Sequence, residues 1–178
     1  IPGSHDDYGD ADLQIQAGQD ASVTVTIDDN LLELIQTEVY DGRLIIKNAR
    51  SYRSEHGLHV DVTLPDLKYL NISGAGDVQI SDLASDDFEV QINGSGDVSG
   101  NGSARRLSVD INGSGDIDFL DIPAVDASVT INGSGDVRVH AVEHLSAAIH
   151  GSGDIRYRGS PAVTRTIQGS GDIQQLSE

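Results

Sequence analysis

Six tetrapeptides at near-constant spacing constrain this chain more than any other feature. Gly-Ala-Gly-Asp stands at 74–77, and Gly-Ser-Gly-Asp at 94–97, 113–116, 133–136, 151–154 and 169–172. Their starts are 20, 19, 20, 18 and 18 residues apart. A unit of that length cannot bury an apolar face alone, so consecutive copies must stack on one another.

Aligning on the motif brings out columns. Two residues before the first Gly stand Ile72, Ile92, Ile111, Ile131, Ile149 and Ile167, and directly after the Asp stand Val78, Val98, Ile117, Val137, Ile155 and Ile173. Four before the Gly are Leu70, Val90, Val109, Val129 and Ala147, a column broken by Arg165; six before it are Phe88, Leu107, Ala127, Leu145 and Val163. Apolar and polar residues thus alternate up to the motif, the period of a strand buried on one face. A short second strand follows, such as 136–139, and then a looser segment with one apolar residue, such as Leu83, Ile122 or Val142. Each repeat reads as two or three short strands around one tight turn. The turn residues are Gly94, Gly96 and Asp97; Gly113, Gly115 and Asp116; Gly133, Gly135 and Asp136; Gly151, Gly153 and Asp154; Gly169, Gly171 and Asp172.

The expected fold is all-β, a right-handed parallel β-helix of about six coils of 18–20 residues. Coils stacked at ~4.8 Å would make a rod on the order of 25–30 Å long. A left-handed hexapeptide helix needs a strict six-residue sub-period that is missing, and calcium-binding nonapeptide arrays repeat at half this period. Composition agrees with thin, regular layers. Met, Cys and Trp are absent, only two Phe are present, and the 37% apolar content rests on aliphatic residues.

Residues 10–70 lack the motif but keep β character, with alternation at 12–16, 22–28 and 59–64. Residues 38–47 read as a hairpin on an Asp41-Gly42 turn. Residues 31–35 suggest a short turn leading into a strand, and 51–57 a polar loop. We read 10–70 as irregular first coils or a cap and 71–178 as the repeat coils of one domain, 10–178. The start Ile-Pro-Gly-Ser-His suggests a processed or recombinant end, so 1–9 are set aside as a tag-like or disordered start.

The chain carries 29 Asp and Glu against 11 Lys and Arg, a formal charge of −18. Such a field repels nucleic acid and anionic membranes, leaving cations, basic partners or neutral glycans as ligands. No apolar run reaches the length of a transmembrane helix, and without Cys the chain needs no disulfide.

The run Asp29-Asn-Leu-Leu-Glu-Leu-Ile-Gln-Thr-Glu-Val, then Asp41-Gly-Arg-Leu-Ile-Ile, Thr63-Leu-Pro-Asp-Leu-Lys-Tyr-Leu and the repeated Gly-Ser-Gly-Asp-Val resemble the head GIN domain family of auto-transporter adhesins. The likeness extends over roughly residues 10–176. It implies a right-handed β-helix from an exported bacterial protein, periplasmic, secreted or at the cell surface. The family provides no catalytic residues to carry over, and fold alone does not dictate function.

Asp77, Asp97, Asp116, Asp136, Asp154 and Asp172 should form a ladder along one edge. Like charges about 5 Å apart repel by roughly 0.8 kcal/mol in water and about 3 kcal/mol at an effective dielectric of 20. Either each carboxylate accepts backbone N–H groups within its own corner, or divalent cations such as Ca²⁺ bridge Asp97, Asp116, Asp136 and Asp154. Calcium wants six or more oxygens, which favours the turn reading; no other cofactor is implied. Asn93, Asn112 and Asn132, followed by His150 and Gln168, suggest an amide ladder. His140-Ala-Val-Glu-His144 matches a zinc-protease pattern, but that chemistry needs a helix and this stretch lies in a β coil. Asp118, Arg138 and Arg156 fall in one column, with Arg158 and Arg165 nearby, which suggests an anion or uronate site or an Asp118–Arg138 pair.

The leading expectation is a non-enzymatic exported envelope protein for adhesion or surface binding, its partner a protein or glycan. The alternatives are a polysaccharide-active β-helix enzyme and a self-associating envelope scaffold. The second is disfavoured because its acids would occupy a structural column. The third would use a strand edge left open by the last coil.

Overall fold

The computed structural model describes residues 3–6, 11–26, 35–40, 43–48 and 58–177. The motifs at 29–34, 41–42 and 51–57 lie outside them. The remaining residues form strands β1 (Gly3–Asp6), β2 (Ala11–Ala17), β3 (Ser22–Thr26), β4 (Ile35–Tyr40), β5 (Arg43–Asn48), β6 (Leu58–Leu64), β7 (Tyr69–Gly74), β8 (Val78–Gly94), β9 (Val98–Gly113), β10 (Ile117–Gly133), β11 (Val137–Gly151), β12 (Ile155–Arg158), β13 (Ala162–Gly169) and β14 (Ile173–Gln175).

From β7 onward the chain is a parallel β-solenoid. Its coils stack so that Gly74, Gly94, Gly113, Gly133, Gly151 and Gly169 are successive Cα partners. The Ile column two residues earlier is in register in the same way. The middle coils are longer strands than the sequence suggests: β8 to β11 run almost unbroken from one corner to the next. Differences in coil length are absorbed by bulges. Phe119 pairs with Val139 and Asp126 with His144, so the offset falls from 20 to 18 between them. Asp82, at φ 57°, sits at another such shift, where its N–H donates to the Asn101 side-chain oxygen at 3.1 Å.

The interior is one continuous column of aliphatic residues, from Leu13 and Ile15 to Ile173. Phe88 and Phe119 meet inside it at 6.0 Å between ring centroids. Two members of the apolar pattern depart from expectation. Val142 is exposed, because Ala141 takes the inward position there. Ile167 is 44% exposed whereas Ile72, Ile92, Ile111, Ile131 and Ile149 are at 0%.

The corner needs Gly for space. A Cβ on Gly113 would lie 2.1 Å from the Gly94 carbonyl oxygen, and one on Gly115 2.2 Å from that of Gly96. The backbones of neighbouring coils meet there with no room for a side chain.

At the other end, parallel stacking gives way to mixed pairing. β2 lies parallel to both β6 and β8, β3 is antiparallel to β6, and β4 and β5 form an antiparallel ladder. That ladder, with Tyr40 opposite Arg43, is the expected hairpin. β1 runs parallel between β5 and β7.

Candidate functional site

Three side-chain columns run along the outside of the rod, and each has its own chemistry. The first is the corner Asp ladder. Between the corners at 94–97 and 113–116, Ser114 N–H donates to Gly94 O at 2.9 Å and Val98 N–H donates to Asp116 O at 2.9 Å. Between these lies the Asp N–H, and a side chain supplies its acceptor. Asp116 N–H donates to Asp97 Oδ1 at 2.8 Å, Asp136 N–H to Asp116 Oδ1 at 2.7 Å, Asp154 N–H to Asp136 Oδ1 at 2.9 Å and Asp172 N–H to Asp154 Oδ1 at 3.0 Å. The turn reading is therefore corrected in one respect: each carboxylate caps the next coil's corner, not its own. Only at the last coil does the acceptor stay local, with Ile173 N–H donating to Asp172 Oδ1 at 2.8 Å. Bonds of this charge-assisted kind offset the repulsion along the ladder.

Arg156 donates to Asp136 Oδ2 at 3.2 Å and to Asp154 Oδ2 at 2.8 Å, and Arg138 reaches Asp118 at 3.3 Å. The expected Asp118–Arg138 pair is thus formed. The basic column is tied to the Asp edge, and Arg165 turns elsewhere, to Tyr157. Beside this edge lies an open groove of about 540 Å³ lined by Asp12, Gln14, His59, Asp77, Asp97, Ser99, Asp116 and Asp136, with Asp118 and Arg138 at one end. Among the described residues no group of three or more His, Asp or Glu side chains is arranged to hold a metal ion.

The second column is the amide ladder. Asn112 Nδ2 donates to Asn93 Oδ1 at 3.2 Å and Asn132 Nδ2 to Asn112 Oδ1 at 3.0 Å. Asn71 extends it, accepting from Asn93 at 3.2 Å. Asn71 stands at a different offset from its corner, so alignment on the motif misses it. Four residues earlier on the same strands Ser108, Ser128, Ser146 and Thr164 stand in register, with the row Asp110, Thr130 and Ala148 between them and the amides.

The third column alternates in charge: Asp87, Arg106, Asp126 and His144 are successive partners on β8 to β11. Arg106 grips Asp87 through Nε and through Nη2, the latter at 2.6 Å. Its guanidinium holds the Asp87 carboxyl below the ordinary carboxylate range, and the same hydrogen bond raises Arg106. His144 Nδ1 lies 2.7 Å from Asp126 Oδ1. All four residues stand seven before the first Gly of their corner, a signal present in the alignment but not read from it. His140 and His144 of the zinc-like motif both lie on the strand β11, where His144 is committed to Asp126.

An acidic parallel solenoid whose coils are tied by Asp and Asn ladders is the class that this geometry defines. The chain belongs to the family described as "Putative auto-transporter adhesin, head GIN domain", whose model matches residues 8–161. Among solved structures it is similar to a putative adhesin from Bacteroides fragilis, at TM-score 0.80 and 24% identity, covering 99% of this chain and 92% of that one. A putative adhesin from Parabacteroides distasonis matches at TM-score 0.65 and 24% identity, with the same coverage of both chains. A putative lipid binding protein from the same species matches at TM-score 0.58 and 25% identity, over 99% of this chain and 92% of that one. No curated protein matches.

Proposed function

We propose that this chain is a non-enzymatic, exported envelope module that binds a surface ligand through the flat outer face of β8 to β11. The observation that carries this reading is the register of that face. Asn93, Asn112 and Asn132 and the hydroxyls of Ser108, Ser128 and Ser146 form parallel polar rows on a rigid backbone. Rows of amides and hydroxyls at coil spacing suit the hydroxyl groups of a neutral glycan, and the net charge of −18 disfavours polyanions. The corner acids, which a polysaccharide-cleaving solenoid would need, are engaged as backbone acceptors. Lipid binding by a relative finds little support on this surface. The exposed large apolar residues among those described, Val23, Val142 and Ile167, lie on three different strands.

A glycan array run beside a polysaccharide-depolymerisation screen, each with and without EDTA, tests the reading. Binding without turnover is the expected result. Turnover abolished by Asp116→Ala or Asp136→Ala would replace the adhesin reading with the enzyme.

A further inference from the structure

We infer that Asn101 is a self-modification site, where attack by the Gly102 nitrogen expels the side-chain amide and yields aspartate or isoaspartate. The same tripeptide elsewhere in the fold is protected. Asn-Gly-Ser occurs four times, at 93–95, 101–103, 112–114 and 132–134. Asparagine followed by glycine is the dipeptide most prone to this reaction, because no Cβ on the second residue hinders ring closure. With the tripeptide the same each time, its surroundings decide which copy reacts. All four Asn are exposed, so access to water does not separate them.

Three copies belong to the amide ladder. Asn93, Asn112 and Asn132, and the Gly after each, have Cα partners on both neighbouring coils. Their Nδ2 groups donate along the ladder at 3.2, 3.2 and 3.0 Å. Turning such an amide toward the next peptide nitrogen breaks the ladder. Asn101 and Gly102 are each paired on one side alone: Asn101 with Asp121 of β10, and Gly102 with Leu83 of β8. Opposite Asn101, β8 bulges at Asp82, whose φ of 57° is the one left-handed value of a non-Gly residue among those described. Strained backbone of this kind gathers at functional positions. Asp82 N–H donates to Asn101 Oδ1 at 3.1 Å. Negative charge builds on that oxygen when a nucleophile adds to Cγ, so the bulge provides an oxyanion donor. Among the described residues Asn101 Nδ2 has no acceptor, and it can depart without breaking a bond within the protein.

The reaction needs only hydroxide and water. Hydroxide takes the Gly102 N–H proton, the nitrogen bonds to Asn101 Cγ, and the Cγ–Nδ2 bond breaks. The departing amide takes a proton from water and leaves as ammonia, which restores the hydroxide and leaves a succinimide in the backbone. One water then opens the ring. Cleavage of the new Cγ–N bond gives aspartate, whose carboxylate still accepts from Asp82 N–H. Cleavage at the former backbone carbonyl gives isoaspartate, with the main chain routed through Cβ and Cγ. Either product adds one negative charge.

Incubation of the folded wild-type chain at physiological temperature and mildly alkaline pH tests this, followed by peptide mapping by mass spectrometry and enzymatic methylation of isoaspartate. Asn101 should convert about tenfold or more faster than Asn93, Asn112 and Asn132, a barrier difference of ~1.4 kcal/mol or more. In denaturing urea the four sites should convert at similar rates. Asn101→Gln changes an exposed side chain, should keep the wild-type melting temperature, and should remove most isoaspartate from the folded chain. Equal rates at the four sites of the folded chain, or a ladder Asn reacting first, overturns the inference. So does isoaspartate at the wild-type level in folded Asn101→Gln. An Asn101 excess that persists unchanged in urea overturns it as well, because the preference would then come from the local sequence and not from the fold.

Discussion

A middle coil and the last coil carry the same motif and share all but one of their apolar columns, yet they hold their residues differently. β10 is paired along both edges, by β9 and β11, and its Ile131 is fully buried. β13 is paired along one, and the equivalent Ile167 lies 44% exposed. In the column where β10 has buried Val129, β13 has Arg165, its guanidinium turned to a tyrosine ring and a carbonyl. The alternation of residues thus decides which side of a strand faces inward. How deeply that side is buried depends on having a neighbour above and below, as expected of a quasi-one-dimensional architecture.

The largest test of that contrast is a glycine substitution. A Cβ on Gly135 would lie 2.1 Å from Gly115 O, and one on Gly171 2.0 Å from Gly153 O, so the local clash is the same. The consequences should differ. Gly135→Ala splits a stack that continues on both sides and should cost about 4 kcal/mol or more, the range of severe core defects. Gly171→Ala can be relieved by fraying β13 and β14, leaving the main denaturation midpoint nearly unchanged. Denaturant titration with residue-resolved hydrogen exchange separates the two. Equal losses would mean that the last coil is as cooperative as the middle.

Truncating the isoleucine column sharpens the same point. Ile131→Ala empties a fully buried site and should cost about 2–5 kcal/mol. Ile167→Ala removes a half-solvated side chain and should cost less than about 1 kcal/mol. Chemical denaturation of the two variants under identical conditions measures the ratio.

The Asp ladder gives a smaller effect. Asp116→Ala leaves the Asp136 N–H without its 2.7 Å acceptor and should cost about 1–3 kcal/mol. Asp116→Asn keeps a carbonyl acceptor while removing a charge that neighbours Asp97 and Asp136, and should come close to wild type. If the hydrogen bonds alone hold the ladder, Ca²⁺ and EDTA should leave the denaturation midpoint of the wild-type chain unmoved. A calcium-dependent midpoint would instead restore the bridging-cation reading.

Much of this architecture is legible in the sequence because the solenoid is built from a local rule repeated. Stacking on the motif predicts the buried Ile and Val columns and the Asn ladder, since residues at one offset become neighbours. The direction of the Asp bond is not legible. A carboxylate can cap its own turn or the next one, and only the distance between coils shows that the unmet N–H lies in the next. Val142 misleads because the coil is two residues shorter there, and Ala141 meets the interior instead. The alternating column Asp87, Arg106, Asp126 and His144 is legible at a fixed offset, but variable residues attract less attention than repeated ones.

That alternating column also ends where the stacking weakens, at Ala162 on β13, and it supports the smallest prediction. Asp87 is held below its ordinary range by Arg106. A carboxylate whose folded value lies below its unfolded value adds stability that is fully present above the unfolded value, near 3.9, and lost as pH falls through the folded one. The pair is solvent-exposed, so its effect at neutral pH should be slight and further reduced by salt. Asp87→Asn should therefore flatten the acid limb of the stability profile while leaving the neutral plateau almost unchanged. An NMR titration gives the direct check: the Asp87 carboxyl should titrate below the ordinary Asp value in the wild-type chain and move back toward it in Arg106→Gln. Because the partners sit on β8 and β9, both paired on two sides, the shift should survive any treatment that frays only the last coil.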